Sequence, residues 1–324
     1  MVPVSALAYS LERLGIVMEP EPDDPREAWG VLNPGAARGP DGELYLFPRL
    51  VAAGNYSRIG RARVLFDRGK PTGVERLGLA LEPQESWESK GVEDPRITFV
   101  AALGLFLMAY TAYGPQGPRV AIAASADLNH WERHGLARFG EAIDGCDNKD
   151  AAFFPEPVPG PDGRASYALL HRPANEERPG IWVSFAQDVP QLGEFTGHRR
   201  VAGPEQPWEE LKLGAGPPPV RRSEGWLLLY HGVSGRLVQG ADMQPAVRYC
   251  AGAMLLDPSA VWNVVDRTQQ PLLEPETEKE RGGIVPNVVF PTALDDRMDG
   301  TADVYYGMAD SRIGVARLRP ASSS

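Results

Sequence analysis

The stretch GVEDPRITFVAALGLFLMAYTAYGPQGPRVAIAAS, residues 91–125, sets the terms for the whole chain. Two apolar, β-branched and aromatic runs, Arg96–Tyr113 and Arg119–Ser125, flank the Gly/Pro turn GPQGP. That punctuation reads as strand, turn, strand. The longest apolar run, Phe99–Tyr113, is too short to span a bilayer as a helix. The odd feature is its entrance. Glu93, Asp94 and Arg96 crowd directly in front of the apolar run. Burying an unpaired carboxylate costs several kcal/mol, so the segment is either a solvated turn or the charged mouth of a site.

The same grammar recurs along the 324 residues. ELYLFPRLV, RARVLF, YALLHRP, IWVSFA, GWLLLYHGV, RYCAGAMLLD, VPNVVFPTAL and TADVYYGMAD are short apolar runs between turns rich in the 35 Gly and 31 Pro. Helical periods are scarce: one short helix is expected around Ala6–Leu14, and a turn or two within Glu205–Leu213. Strand after strand with little helix excludes a βαβ plan and favours an all-β architecture. The loosely repeated meander, at about four strands per repeat, predicts a β-propeller of four to six blades. A β-sandwich and a β-helix are the rivals. With no linker in the sequence, residues 1–324 read as one catalytic domain with an N-terminal extension, residues 1–25.

Composition narrows the function. The chain is 43% apolar and 23% charged, as a soluble globular protein is. A net charge of −10 argues against nucleic-acid or anionic-membrane partners. Two cysteines, Cys146 and Cys250, imply no disulfide framework. The first twenty residues lack the basic start and long apolar core of a signal peptide, so a cytoplasmic enzyme is expected.

Polar clusters sit at strand ends: NPGAARG (33–39), NYSRIGR (55–61), GVEDPR (91–96), DNKDAAFFPE (147–156), HRP (171–173), KLGAGPPP (212–219), YHGV (230–233), VPNVVFP (285–291) and YYGMADSRIG (305–314). A propeller would bring equivalent strand ends to one central pocket. Asp94 is the candidate general acid, with Pro95 expected to hold it in extended backbone; an Asp94–Arg96 ion pair closing a turn is the bland alternative. Arg49, Arg58, Lys149, Arg172, Lys212 and His231 are ordinary solvated groups taken singly, and an anion site if they converge. No GxSxG, HExxH, P-loop or GxGxxG opening a helix is present. His130 and His134 could ligate a metal only from one helix face, and their surroundings read as strand and turn, so no metal is expected. Aromatic residues such as Trp87, Trp131, Trp208, Trp226, Tyr45, Tyr230 and Tyr305 are core or sugar-stacking platforms.

In this order, GVEDPR, NKDAAFFPE, LLHRP, KLGAGPPP…GWLLLYHGV and VPNVVFP…VYYGMADSRIGVA resemble the blocks of glycoside hydrolase family 130, the mannoside phosphorylases and their hydrolase relatives, over Asn33 to Ala316. The resemblance implies a five-bladed β-propeller that cleaves β-mannosides with inorganic phosphate as co-substrate and no cofactor. It implies Asp94 as the single catalytic acid, acting through the 3-hydroxyl of the bound mannose, with phosphate attacking from the opposite face to give α-mannose 1-phosphate. It implies Arg58, Lys149, Arg172, Lys212 and His231 as phosphate-binding, and Asn33, Arg49, Asp150 and Asp310 as mannose-binding. It implies a small-carbohydrate partner, and a homo-oligomer in which Met1–Pro20 is the candidate contact. Two rivals stand beside it. A hydrolase of the same fold would need a second carboxylate about 6.5–9.5 Å from the acid, with Asp144, Asp147 and Glu276–Glu280 the residues to inspect. A non-catalytic carbohydrate-binding propeller would not need Asp94.

Overall fold

The structure, a computed structural model, describes residues 7–187, 194–238, 244–297 and 299–320. It is nearly all β. The first strand, β1 (Tyr9–Met18), pairs antiparallel with the last, from Tyr9↔Pro320 to Met18↔Ile313. The helix expected over Ala6–Leu14 is therefore corrected to strand from Tyr9 onward. Ser10 and Glu12 are exposed while Tyr9, Leu11 and Arg13 are half-buried. That alternation has the period of a strand, and pairing with a distant partner overrides weak helix propensity. The same pairing spends one edge of a segment expected to serve oligomer contact. The second helix expectation shrinks to a single 3-10 turn, Pro207–Glu209.

The remaining strands form antiparallel meanders. The first comprises β2 (Gly30–Arg38), β3 (Leu44–Ala52), β4 (Tyr56–Asp67) and β5 (Lys70–Leu81). The second comprises β6 (Gly91–Val100), β7 (Leu105–Gly114), β8 (Gly117–Ser125) and β9 (Glu132–Leu136). One parallel bridge, Ser57↔Gly91, joins these two into an eight-stranded sheet. The third comprises β10 (Asn148–Phe153), the short β11 (Val158–Pro159), β12 (Ala165–Pro173), β13 (Ile181–Ala186) and β14 (Thr196–Ala202). The fourth comprises β15 (Lys212–Ala215), the short β16 (Val220–Arg222), β17 (Gly225–Gly235), β18 (Val247–Asp257) and β19 (Ala260–Arg267). The fifth is β20 (Val289–Asp296), β21 (Ala302–Met308), β22 (Arg312–Pro320) and β1.

The core lies between neighbouring meanders. Phe47 and Ile59 of the first pack with Met108 and Ala121 of the second. Leu107 and Ile122 of the second meet Phe153 and Leu169 of the third, and Leu170 and Val183 of the third meet Leu228 and Met254 of the fourth. Leu229 and Leu255 of the fourth meet Val304 and Leu318 of the fifth, and Tyr305 and Val315 of the fifth pack on Val31 and Leu46 of the first.

A buried carboxylate pins four of the meanders. Glu88 accepts hydrogen bonds from Tyr110 Oη (2.6 Å), Arg133 Nε (3.1 Å) and the Gln84 amide (3.0 Å). Glu209 repeats this with Tyr230 Oη (2.5 Å), Arg267 Nη2 (2.6 Å) and the Glu205 amide (3.0 Å). Glu280 does so with Tyr306 Oη (3.0 Å), Arg13 Nε (2.9 Å) and the Thr277 amide (2.9 Å). Glu27 takes Arg76 Nε (3.0 Å) and the Glu21 amide (2.8 Å), with Pro48 where the others have tyrosine. In the third meander a neutral chain stands instead: His171 Nε2 to Ser184 Oγ (2.7 Å) to His198 Nδ1 (2.8 Å).

The inner strands are bulged where the polar residues sit. Pairing register breaks between Leu32 and Gly35, Glu93 and Arg96, and Lys149 and Ala152. The first of the two residues in each break is left-handed: Asn33 at φ 43°, Asp94 at 47° and Asp150 at 56°. Pro95 therefore does not keep Asp94 extended. The extra residue of a bulge needs such a turn, and short Asx side chains tolerate it better than most.

Removing one partner of a buried charge pair leaves the other stranded, at about 3–5 kcal/mol. Glu209→Ala is thus expected to lower stability by about that much in denaturant unfolding. A loss below about 1 kcal/mol would show that the clamp does not hold its meander in place.

Candidate active site

The left-handed bulges bring Asn33 of the first meander to Asp94 of the second, and Asp150 of the third near Arg96 of the second. The second strands supply the residues opposite. Leu32 faces Arg49, Glu93 faces Thr111, Lys149 faces Arg172, Gly214 faces His231, and Phe290 faces Gly307. A cavity of about 510 Å³ opens among Arg49, Glu93, Tyr113, Asp147, Lys149 and Asp310.

One half of the site is built on Asp94. Its Oδ1 accepts from Asn33 Nδ2 at 3.0 Å and from Arg49 Nη1 at 3.3 Å. Arg49 is fixed on every side, giving Nη2 to Glu93 Oε1 (2.9 Å) and Asn55 Oδ1 (3.2 Å), and Nε to Ser57 Oγ (2.8 Å). Arg96 does not pair with the Asp94 carboxylate. Its Nη1 donates to the Asp94 main-chain carbonyl at 2.7 Å, and the side chain is wholly buried. The charges of GVEDPR are therefore held inside, not solvated. Burial raises the Glu93 pKa, with Asp94 adding to it and Arg49 opposing. Burial also lifts Asp310, to about 6, where Arg49 and Lys149 oppose and Asp94 and Glu93 add. Asp310 reaches the cavity from a tight β21–β22 hairpin in which it and Ala309 are both at φ 48°.

The other half is cationic. Arg172 Nε donates to Asp150 Oδ2 at 2.6 Å; His231 Nε2 lies 3.6 Å from the same oxygen and Arg96 Nη2 3.7 Å from Oδ1. Burial pushes the Asp150 pKa up, but Arg172, His231, Arg96 and Lys149 outweigh it and hold the carboxyl well below its usual range. Lys212 is pushed down to about 7, first by burial and then by repulsion from Arg172 and Lys149, with Asp150 opposing. His231 is lowered well below its ordinary value mainly by burial, with Asp150 opposing. Its ring packs at 4.3 Å on Phe290 and 5.9 Å on Tyr249, and Lys212 Nζ lies 5.9 Å above Tyr249.

Two glycines let the halves close. A Cβ on Gly307 would strike Asn33 Oδ1, and one on Gly214 would strike Asp150 and His231. Among the described residues, Asn33 Oδ1 and His231 Nδ1 are two of ten buried side-chain polar atoms without a hydrogen-bond partner.

The structure thus gathers Asn33, Arg49 and Asp94 in one group, and Lys149, Asp150, Arg172, Lys212 and His231 in another, with Asp310 in the shared cavity. Arg58 stands apart from these contacts: its Nε lies 3.8 Å from exposed Glu82 and its guanidinium stacks on Tyr56 at 4.7 Å. Its neighbour Ser57 is the one that touches Arg49. Of the carboxylates inspected as a second base, only Asp147 lines the cavity, paired with Arg119 at 3.4 Å. Asp144 caps the Phe139 amide, Glu276 pairs with Arg13, and Glu280 is locked in its clamp. Glu93, Arg96, Ser57, Tyr249 and Phe290 escaped the sequence reading as site residues. For the first two the signal was at hand in the quoted stretch; for the last two an aromatic on a strand looks the same in core or pocket.

The sequence model of a family described as beta-1,4-mannooligosaccharide phosphorylase matches residues 12–320. The chain belongs to glycoside hydrolase family 130. A family relative, the 1,2-beta-oligomannan phosphorylase of Thermoanaerobacter sp. (strain X514), is 33% identical over 311 residues, 93% of this chain and 94% of its own. The solved beta-1,2-mannobiose phosphorylase from Listeria innocua, in complex with beta-1,2-mannobiose, superposes with a TM-score of 0.76 at 23% identity over 98% of both chains. A solved structure from work on family 130 glycoside hydrolases that target beta-1,2 mannosidic linkages in Candida mannan matches with a TM-score of 0.74 at 25% identity, over 97% of this chain and 95% of that one.

A lysine that is mostly neutral above pH 7 must recover its proton to hold an anion. Sulfate, which stays doubly charged near neutrality, should therefore bind at pH 8 with uptake of most of one proton. Calorimetry in two buffers of different ionisation enthalpy reads this number. Uptake should vanish at pH 6 and in Lys212→Met; sulfate binding without uptake at pH 8 would mean Lys212 is not in contact with the anion.

Proposed function

We propose that this family 130 enzyme is an inverting β-mannoside phosphorylase: inorganic phosphate displaces the sugar on the far side of the β-mannosidic bond and leaves α-mannose 1-phosphate. The observation that carries this reading is the separation of two groups beside the cavity: Asp94 held by Asn33 and Arg49, and Lys149, Arg172, Lys212 and His231 gathered about Asp150, with Arg49 and Lys149 both on the cavity wall. Phosphate is already a charged nucleophile. It needs position and charge neutralisation more than a base.

In this reading Asn33 and Arg49 orient Asp94 and share the mannose with Asp310, and Asp94 delivers the proton to the leaving oxygen through the 3-hydroxyl of that mannose. Asp150 holds Arg172 and leaves Lys149, Lys212 and the unpartnered face of His231 for phosphate. Arg58 has the weakest geometric support of the phosphate set. The five meanders, each packed on the next and the fifth on the first, support a five-bladed β-propeller with this cavity at its axis. No helix among the described residues is long and apolar enough to cross a membrane, and a reaction that keeps bond energy as a sugar phosphate suits the cytoplasm. A hydrolase is the second reading, and Asp147, which lines the cavity, is the carboxylate that favours it.

The deciding experiment supplies α-mannose 1-phosphate with a panel of acceptor sugars and follows phosphate release. Acceptor-dependent release is expected, and the linkage of the product separates β-1,2 from β-1,4. Phosphate-independent cleavage of manno-oligosaccharides with no release would install the hydrolase instead. Asp94→Asn should cut turnover by about 10²–10⁴-fold while sugar binding survives. Lys212→Ala should raise the KM for phosphate far more than that for the sugar; equal effects would remove Lys212 from the phosphate site. Chelators are expected to leave the rate unchanged.

A further inference from the structure

In three of the pinned meanders a tyrosine meets the buried carboxylate: Tyr110, Tyr230 and Tyr306. Each stands one residue before a strand position that faces an inner strand, at Thr111, His231 and Gly307. His171 holds that place in the third meander, one residue before Arg172. A phenol has one polar atom and spends it on the clamp. An imidazole has two, directed apart, and can reach two strands at once.

His171 uses both nitrogens. Its Nε2 lies 2.7 Å from Ser184 Oγ, which lies 2.8 Å from His198 Nδ1. Its Nδ1 lies 3.1 Å from Asn148 Oδ1. These four residues belong to β10, β12, β13 and β14, so one polar side chain from each long strand joins a ladder across the whole meander. An amide oxygen only accepts. His171 Nδ1 therefore carries the hydrogen, Nε2 accepts the Ser184 hydroxyl, and Ser184 Oγ accepts from His198. Phe139 stacks on the His171 ring at 4.2 Å and holds its plane. Among the described residues the Asn148 side chain makes no hydrogen bond besides the one to His171, and its Nδ2 is buried without a partner.

Asn148 opens the run that carries part of the cationic half of the site. It pairs with Pro173, Lys149 pairs with Arg172, and the register then breaks until Ala152. Asp150, inside the break, has no ladder pair of its own. Its place depends on the two pairs just before it, and the His171–Asn148 bond ties those pairs together on the Phe139 side. We infer that His171 and Asn148 are positioning residues for the anion site: their bond sets the start of β10 so that Lys149, Asp150 and Arg172 stand in register. Groups that grip a ligand lose much of their hold when the residues behind them are loosened. The inference rests on the phosphate reading above for the identity of the anion.

The test compares two substitutions that split the ring's two contacts. His171→Asn places an amide where Nδ1 stands, keeping Asn148 and giving up Ser184. His171→Gln reaches as far as Nε2, keeping Ser184 and giving up Asn148. Both lose the stack on Phe139, so a merely structural role would move them together. The KM for phosphate should be about tenfold higher in the Gln variant than in the Asn variant, the worth of one good hydrogen bond. The KM for the mannoside, and kcat at saturating phosphate, should be alike in the two. Equal phosphate KM values, or a sugar KM that rises in parallel, overturn the inference. Should either variant fail to fold, Asn148→Ala and Ser184→Ala carry the same contrast: the first raises the phosphate KM and the second does not, and equal effects overturn it. Should the wild-type protein phosphorolyse no mannoside, the reaction assignment fails, and calorimetry of sulfate binding reads the same pair of variants. Weaker sulfate binding in Gln than in Asn supports the positioning role, and equal binding overturns it. No sulfate binding by the wild type removes the anion site, and the inference with it.

Discussion

Glu93, Asp94 and Asp150 enter the middle of this molecule against cations. Taking an ion out of water costs several kcal/mol unless a partner waits inside, and the site is arranged around that demand. Glu93 and Asp94 share Arg49; Asp150 has Arg172 bonded and Arg96 and His231 near. The pairing does more than permit burial. Asp150 neutralises enough positive charge for Lys149, Arg172 and Lys212 to stand together, and leaves an excess that an incoming anion can meet. Lys212, pushed down to about 7 first by burial and then by Arg172 and Lys149, registers both the desolvation and the crowding.

The same logic holds the periphery. Glu27, Glu88, Glu209 and Glu280 are buried and each is met by an arginine from an outer strand or from β1. Glu27 stands six residues before Asn33, and Glu88 six before Asp94. The clamp therefore fixes the start of the very strand that bulges to present the site. The third meander replaces the charged clamp by His171, Ser184 and His198, with His171 pushed to about 3 mainly by burial. A neutral chain spares one desolvation at the meander that already carries Asp150 and Lys149.

Much of this was legible in the residues. Alternating apolar runs between Gly and Pro turns announced the sheets, and polar clusters at strand ends announced a shared pocket. The repeat could have been read more closely. FPRL, AYTA, LHRP, LYHG and YYGM hold equivalent places in the second long strand of their meanders, so that Arg49, Thr111, Arg172, His231 and Gly307 all fall opposite an inner strand. What stayed hidden was set by distance along the chain or by backbone conformation. β1 looked helical because its partner lies some three hundred residues on. Pro95 suggested an extended Asp94 because a bulge leaves no mark in composition. Arg58 looked like its neighbours, and one residue of strand alternation gave the inward place to Ser57.

The pairing of Tyr9 with Pro320 also orders events in time. β1 has no sheet to join until β22, about three hundred residues further on, has been made. Four meanders can collapse on local contacts as they appear, but the fifth must bring β1 to β22, a closure of very high contact order. Until then Asn33 and Arg49 lack the neighbouring meander that carries Gly307 and Asp310. A chain that lacks β22 lacks both the partner of β1 and the β21–β22 hairpin that brings Asp310 to the cavity.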